Sequence, residues 1–184
     1  MISEIKLKSF NLLVSTSRYN EGNTKAELWF TLLALGDELP LIFKLGFSGL
    51  IGCITNIEPK KCIKKMRKLA QKNPDFFQYI LKITPIEFNC ETDLKIIRKI
   101  IHDNFHQKIK KQETFKLRVN KRNFEISKLE IVDFIADGID NKVDLKNPDK
   151  IVNIEILGKL TGISFLNKDD IFSIAKEKEI INRW

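Results

Sequence analysis

Cysteine and histidine are in short supply in this chain, and each shortage removes a class of chemistry. Three cysteines, Cys53, Cys62 and Cys90, form an odd set with no C-x-x-C spacing. That pattern argues against a disulfide framework and a zinc ribbon, and fits a reducing compartment. No run reaches the ~18 apolar residues of a membrane span, and the opening M-I-S-E-I-K-L-K has no signal-peptide apolar region. A cytosolic protein with no membrane association is expected. Neither a G-x-S-x-G elbow, nor a P-loop, nor a G-x-G-x-x-G fingerprint is present, so no nucleophile or cofactor cradle is indicated and no cofactor is expected. The glycine-rich G-F-S-G-L-I-G (46–52) lies within a hairpin pattern rather than between a strand and a helix, and reads as a tight turn. There is no internal repeat and no low-complexity tract.

The two histidines, His102 and His106, sit one helical turn apart in H-D-N-F-H, the spacing of the H-E-x-x-H zinc motif. Aspartate is one methylene shorter than the glutamate of that motif, and a third histidine is missing. Both are read as polar-face residues of a basic helix, with a metal-dependent hydrolase as the rival reading. Asp133, Asp137, Asp140 and Asp144 fall in a helix-to-loop passage and read as solvated or capping. No catalytic residue is assigned.

What the chain does have is positive charge. With 32 Lys and Arg against 24 Asp and Glu, its formal net charge is +8, and its isoelectric point is near 9.3. A hydrophobic fraction of 43% is ample for a packed core. The excess therefore speaks of partners rather than fold, and a polyanion is the first candidate.

The cations cluster into three strips. In E-T-F-K-L-R-V-N-K-R-N (113–123), Phe115, Leu117 and Val119 alternate with Lys116, Arg118 and Asn120. That is the period of a half-buried strand whose wet face, ending at Arg122, carries no acid. Along 60–72, Ile63, Met66 and Leu69 form an apolar face opposite Lys61, Lys64, Lys65, Lys68 and Lys72. Glutamate is absent from 60 through 78, so the usual i,i+4 pairing is missing. Lys95, Arg98, Lys99 and His102 repeat the arrangement, continued by Lys108, Lys110 and Lys111. Three such strips resemble a phosphate-tracking surface.

The first half reads in order as a strand (10–17), a helix (24–35), two short strands (41–47 and 50–56), a helix opening at Pro59 and ending by Asn73-Pro74, and an extended segment (78–88). Strand–helix–strand–strand–helix–strand is the ferredoxin-like plan. The second half reads as a helix capped by Thr92 or Asp93 and running to about 109, the basic strand, and a helix over 127–139. Ser127 and Glu130 have capping-box spacing there. Strands at 151–157 and 160–166 and a terminal helix from 168 follow. An α+β protein of two domains is expected, 1–88 and 89–184.

The second unit resembles a THUMP domain, a tRNA-binding module of RNA-modifying proteins. F-K-L-R-V-N-K-R (115–122), S-K-L-E-I-V-D-F-I-A (127–136), V-D-L-K-N-P-D (143–149), I-V-N-I-E-I (151–156) and G-I-S-F-L (162–166) carry the likeness, in the family's order. N-L-L-V-S-T (11–16), L-G-D-E-L-P (35–40) and G-L-I-G-C-I-T (49–55) resemble the N-terminal ferredoxin-like part of the THUMP proteins that assist 4-acetylcytidine formation in tRNA. No fused catalytic domain follows the second unit, so the resemblance implies a non-catalytic adaptor. It would bind tRNA while a separate tRNA cytidine acetyltransferase supplies the chemistry. A subunit of a thiolation or methylation enzyme is the alternative. Asn120, Lys121 and Arg122 are the first candidates for RNA contact, joined by Lys116, Arg118, Lys61, Lys65 and Lys68. Gly162 and Ser164 follow because they lie in a family segment.

Overall fold

A computed structural model describes residues 9–181, so the opening octapeptide and residues 182–184 lie outside it. The chain forms two compact units. One comprises Phe10–Ile86 with the segment from Asp169 onward, and the other Glu87–Lys168. No helix among the described residues is long and apolar enough to cross a membrane.

The first unit contains β1 (Leu12–Ser15), α1 (Glu21–Ala34), β2 (Leu41–Lys44), β3 (Leu50–Ile54), α2 (Pro59–Lys72) and β4 (Lys82–Pro85). Its antiparallel sheet has the order β2-β3-β1-β4, the ferredoxin-like arrangement, extended by a short strand described below. Leu12, Val14, Ile51 and Ile83 pack with Leu28 and Leu32 of α1 and with Ile63 and Met66 of α2, all fully buried. The glycine cluster is structural. Gly49 has a φ of +75°, and a Cβ there would lie 2.8 Å from the carbonyl oxygen of Thr16. A Cβ on Gly52 would strike the Phe43 ring. The L-G-D-E-L-P segment is structural too: buried Asp37 accepts hydrogen bonds from the Thr55 hydroxyl and from the amides of Asn56 and Leu39.

The extended segment expected over 78–88 divides in two. The amides of Gln78, Tyr79 and Ile80 donate to the Glu27 carboxylate of α1 rather than to a strand, so β4 begins only at Lys82. After Ile86 the chain enters the other unit as β5 (Phe88–Glu91).

That unit continues with α3 (Leu94–Lys108), β6 (Phe115–Arg122), α4 (Lys128–Ala136), β7 (Lys150–Leu157) and β8 (Leu160–Leu166). The sheet order is β5-β8-β7-β6, with β6 parallel to β7 and the other pairs antiparallel. Asp93 caps α3 by accepting from the amides of Lys95 and Ile96, and Ser127 with Glu130 completes the capping box of α4. Ile97, Ile101 and Phe105 of α3 and Ile131 and Ile135 of α4 close a core over Phe115, Val119, Val152, Ile154, Ile156 and Phe165. Helix α4 stops at Ala136, three residues before the expected end, and α3 side chains meet its last turn: Arg98 donates to the Asp137 carbonyl and His102 hydrogen-bonds the Ile135 carbonyl.

The terminal segment does not belong with the second unit, contrary to the expected 89–184 domain. It forms β9 (Phe172–Ser173), which pairs with β4, and α5 (Ile174–Ile181). Phe172 is fully buried in the first unit's core, its ring centroid 4.9 Å from that of Phe77. Burying such a ring is worth roughly 1.5–3 kcal/mol. The hydrophobic pattern at 168–181 cannot reveal which of two cores it joins.

Candidate nucleic-acid interface

The basic strand β6 forms over the residues expected. Phe115 and Val119 are buried and Leu117 half-buried against the helices. Alternation then turns Lys116, Arg118, Asn120 and Arg122 to the opposite face. Lys121, however, has the parity of Phe115 and lies on the helix side, where its Nζ donates to the Phe124 carbonyl at 2.7 Å. The Lys121-Arg122 doublet is thus split between two faces of the sheet. Lys116 Nζ is also engaged, donating to the Leu145 carbonyl at 3.3 Å.

The face without acids along β6 acquires one from its neighbour. Asn120 is in register with Glu155 of β7, and its Nδ2 donates to Glu155 Oε1 at 2.9 Å. Asn153 Nδ2 reaches the same oxygen at 3.2 Å. Ser164 of β8 pairs in register with Asn153, and both are fully buried, with Ser164 Oγ and Asn153 Oδ1 lacking hydrogen-bond partners among the described residues. Gly162 is buried as well. Gly162 and Ser164 are thus both buried on β8, which lies between β5 and β7 in the sheet. The exposed cation of the row is Arg122, at the strand's end.

Beside that end lies a feature that periodicity does not reveal, because loops supply it. An open cleft of about 610 Å³ is lined by Glu91, Thr92, Asn123, Phe124, Gly158 and Lys159. The Gly158 amide donates to the Arg122 carbonyl, and the Thr92 amide to the Lys159 carbonyl, fixing the rim. The cleft offers one ammonium, one aromatic ring and one carboxylate, a combination suited to a base with its phosphate.

The two basic helices differ. On α3, Arg98 binds the Asp137 carboxylate at 2.7 Å and lies 5.2 Å from the Phe134 ring centroid. Lys99 pairs with Asp103 at 2.7 Å and Lys108 with Glu87 at 3.0 Å. On α2, Cys62, Ile63, Met66 and Ala70 are fully buried, and the flanking cations are engaged. Lys60 pairs with Asp170, Arg67 with Glu177, and Lys65 Nζ donates to the Leu35 carbonyl. Lys61, Lys64, Lys68 and Lys72 lie exposed on the crest. Among the described residues none of these four makes an ion pair.

The zinc-like histidines are structural neighbours instead. His102 Nε2 hydrogen-bonds the Ile135 carbonyl at 2.9 Å, and His106 is exposed with its ring against Phe105. Among the described residues no three His, Cys, Asp or Glu side chains gather as metal ligands. Burial pushes the Cys53 and Cys62 thiols up to about 12 and that of Cys90 up to about 11, so all three are poor nucleophiles at neutral pH. Asp144 is held below the usual carboxylate range by the amides of Asn147 and Lys146, which it caps.

The THUMP domain family model matches residues 91–166. The chain is 27% identical over 126 residues to the tRNA acetyltransferase TAN1 of Saccharomyces cerevisiae, a match spanning 61% of this chain and 40% of that protein. Solved structures share the fold. PH1313 of Pyrococcus horikoshii superposes with a TM-score of 0.62 at 20% identity, over 85% of this chain and 54% of that one. A 4-thiouridine synthetase solved in complex with RNA and ATP gives a TM-score of 0.51 at 15% identity, over 90% of this chain and 42% of that one.

Proposed function

Residues 91–166 form a THUMP domain, and from that premise we propose that the chain is a tRNA-binding adaptor. It presents tRNA to a separate cytidine acetyltransferase for 4-acetylcytidine formation in the D-arm. The reading is carried by the THUMP match taken together with the likeness to a tRNA acetyltransferase. A 4-thiouridine synthetase of the same fold, solved with RNA, supports an RNA ligand for this architecture.

In this account the second unit holds the acceptor end of the tRNA. Arg122, Lys116 and Arg118 line one face of β6 and supply phosphate contacts, while Lys121 holds the Phe124 turn in place. Phe124 and Lys159 in the neighbouring cleft would stack on and charge-pair with an unpaired terminal nucleotide. The partner enzyme supplies acetyl-CoA and ATP chemistry, and binding energy here goes into orientation, which lowers the partner's barrier by positioning its substrate. The complex acts in the cytosol.

The deciding experiment is modification mapping of tRNA from cells lacking this chain, alongside reconstitution with the acetyltransferase. Loss of 4-acetylcytidine alone is expected, with acetylation in vitro requiring both proteins. Acetylated tRNA made by this chain without a partner would overturn the adaptor reading. Loss of a thiolated or methylated base instead would reassign the chain to another modification system.

A further inference from the structure

Given a tRNA ligand for the THUMP domain, we propose that α2 of the first unit is a second RNA contact, which grips the phosphate backbone of a paired stem. The geometry of the helix sets this out. At ~100° per residue, the fully buried Cys62, Ile63, Met66 and Ala70 define one side, and Lys61, Lys68 and Lys72 fall almost opposite, with Lys64 beside them. Lys65 leans to the α1 side, where it caps the Leu35 carbonyl, and Lys60 and Arg67 lean the other way to Asp170 and Glu177.

Lys60, Lys65 and Arg67 each have an internal partner. The four on the crest have none among the described residues, and they repel one another at i,i+3 and i,i+4 spacing. An ordinary solvated helix face relieves such repulsion with interleaved glutamates, and here the interval from 60 to 78 contains none. A polyanion relieves it instead.

The crest also says which polyanion feature it meets. Four ammonium groups spread over twelve residues span about 16 Å of helix, long enough to lie beside several consecutive phosphates. Ammonium groups are point charges, without the planar forks or rings that read base edges. A duplex stem, whose deep groove hides its bases and whose backbone is regular, suits such a surface.

The test uses the full chain and two triple variants that remove equal charge, K61Q/K64Q/K68Q on α2 and K95Q/K99Q/K108Q on α3. A blunt RNA hairpin with no single-stranded end and an intact tRNA serve as probes, each titrated at several salt concentrations. The α2 triple should lose about tenfold or more in hairpin affinity near 0.1 M salt. Its log–log salt slope should fall by about two to three, at ~0.9 per duplex phosphate contact. The α3 triple should lose less than about threefold, since Lys99 and Lys108 are already paired. K61R/K64R/K68R keeps the charge and should bind like wild type, which separates charge loss from any misfolding. Equal losses from both glutamine triples, or unchanged hairpin binding by the α2 triple while tRNA still binds wild type, would overturn the α2 contact alone. Failure of wild type to bind tRNA at all would overturn the adaptor reading with it.

Discussion

Helices α2 and α3 look alike in sequence and differ in what surrounds them. Each sets cations against an apolar stripe, and each is capped by an acid, Glu58 or Asp93. The cations of α3 are largely spoken for by Asp103, Asp137 and Glu87, and two of those acids come from other elements. The crest of α2 meets no acid among the described residues. Like-charge i,i+4 pairs such as Lys64 with Lys68 and Lys68 with Lys72 destabilise a helix by about 0.2–0.5 kcal/mol each. One helix therefore uses its charges to hold the fold, whereas the other keeps a strip that weakens it. An unpaired cationic strip of this kind is what a phosphate-binding face needs.

The comparison can be pressed hardest on the flank of α2. Arg67 covers Glu177, whose side chain is only 3% exposed, at 2.7 Å. Arg67→Ala strands that carboxylate and should cost about 3 kcal/mol, the range for breaking one half of a buried pair. Chemical denaturation measures it, and a loss below about 1 kcal/mol would remove Arg67 from the structural group. On α3, Arg98→Ala should cost less, about 1 kcal/mol, because Asp137 is 73% exposed and solvent screens the pair. The lost contacts to the Asp137 carbonyl and the Phe134 ring make up most of that figure. Neither change touches the α2 crest, so hairpin affinity should hold in both.

Lys64→Glu sharpens the contrast from the other side. An acid at that position sits four residues before Lys68 and four after Lys60, so it should stabilise the helix by a few tenths of a kcal/mol to about 1 kcal/mol. The same change should weaken hairpin binding by about tenfold, counting one lost and one repelled phosphate contact. Stability and binding moving in opposite directions is the signature of a ligand face. A parallel loss of both would mark Lys64 as structural.

The smallest effect concerns pH. The buried side of α2 carries Cys62, whose thiol burial raises to about 12, while Cys90 rises to about 11 on β5. A raised thiol pKa means that folding favours the neutral form. Its contribution is complete below the unfolded value near 8.5 and is lost as pH climbs toward the folded one. Melting temperature should be level from pH 7 to about 8.5 and decline above it. Cys62→Ala should make that decline shallower, and an unchanged slope would mean that the thiol does not set it.

Much of this architecture was legible because its signals are local. Alternation in 115–122 gave the half-buried strand, and Ser127 with Glu130 gave a helix start. Pro59 marked another, and the order of elements gave the ferredoxin-like unit. What was hidden depends on register and on the joining of distant segments. Nothing in F-K-L-R-V-N-K-R announces that Asn120 will face Glu155, thirty-five residues on. The likeness that pointed to Gly162 and Ser164 is silent on burial, and both lie buried on β8. Lys121 stood next to Arg122 in the chain, yet the pleat sends them apart. The cleft at Phe124 and Lys159 arises from loops, which carry no period to read.

The most direct test of the central claim is the salt dependence of tRNA binding by the intact chain. Contacts from the β6 face together with the α2 crest predict a log–log slope steeper than about −3, at 0.7–0.9 per neutralised phosphate. An affinity that stays flat as salt rises would contradict an RNA-binding role for these cations.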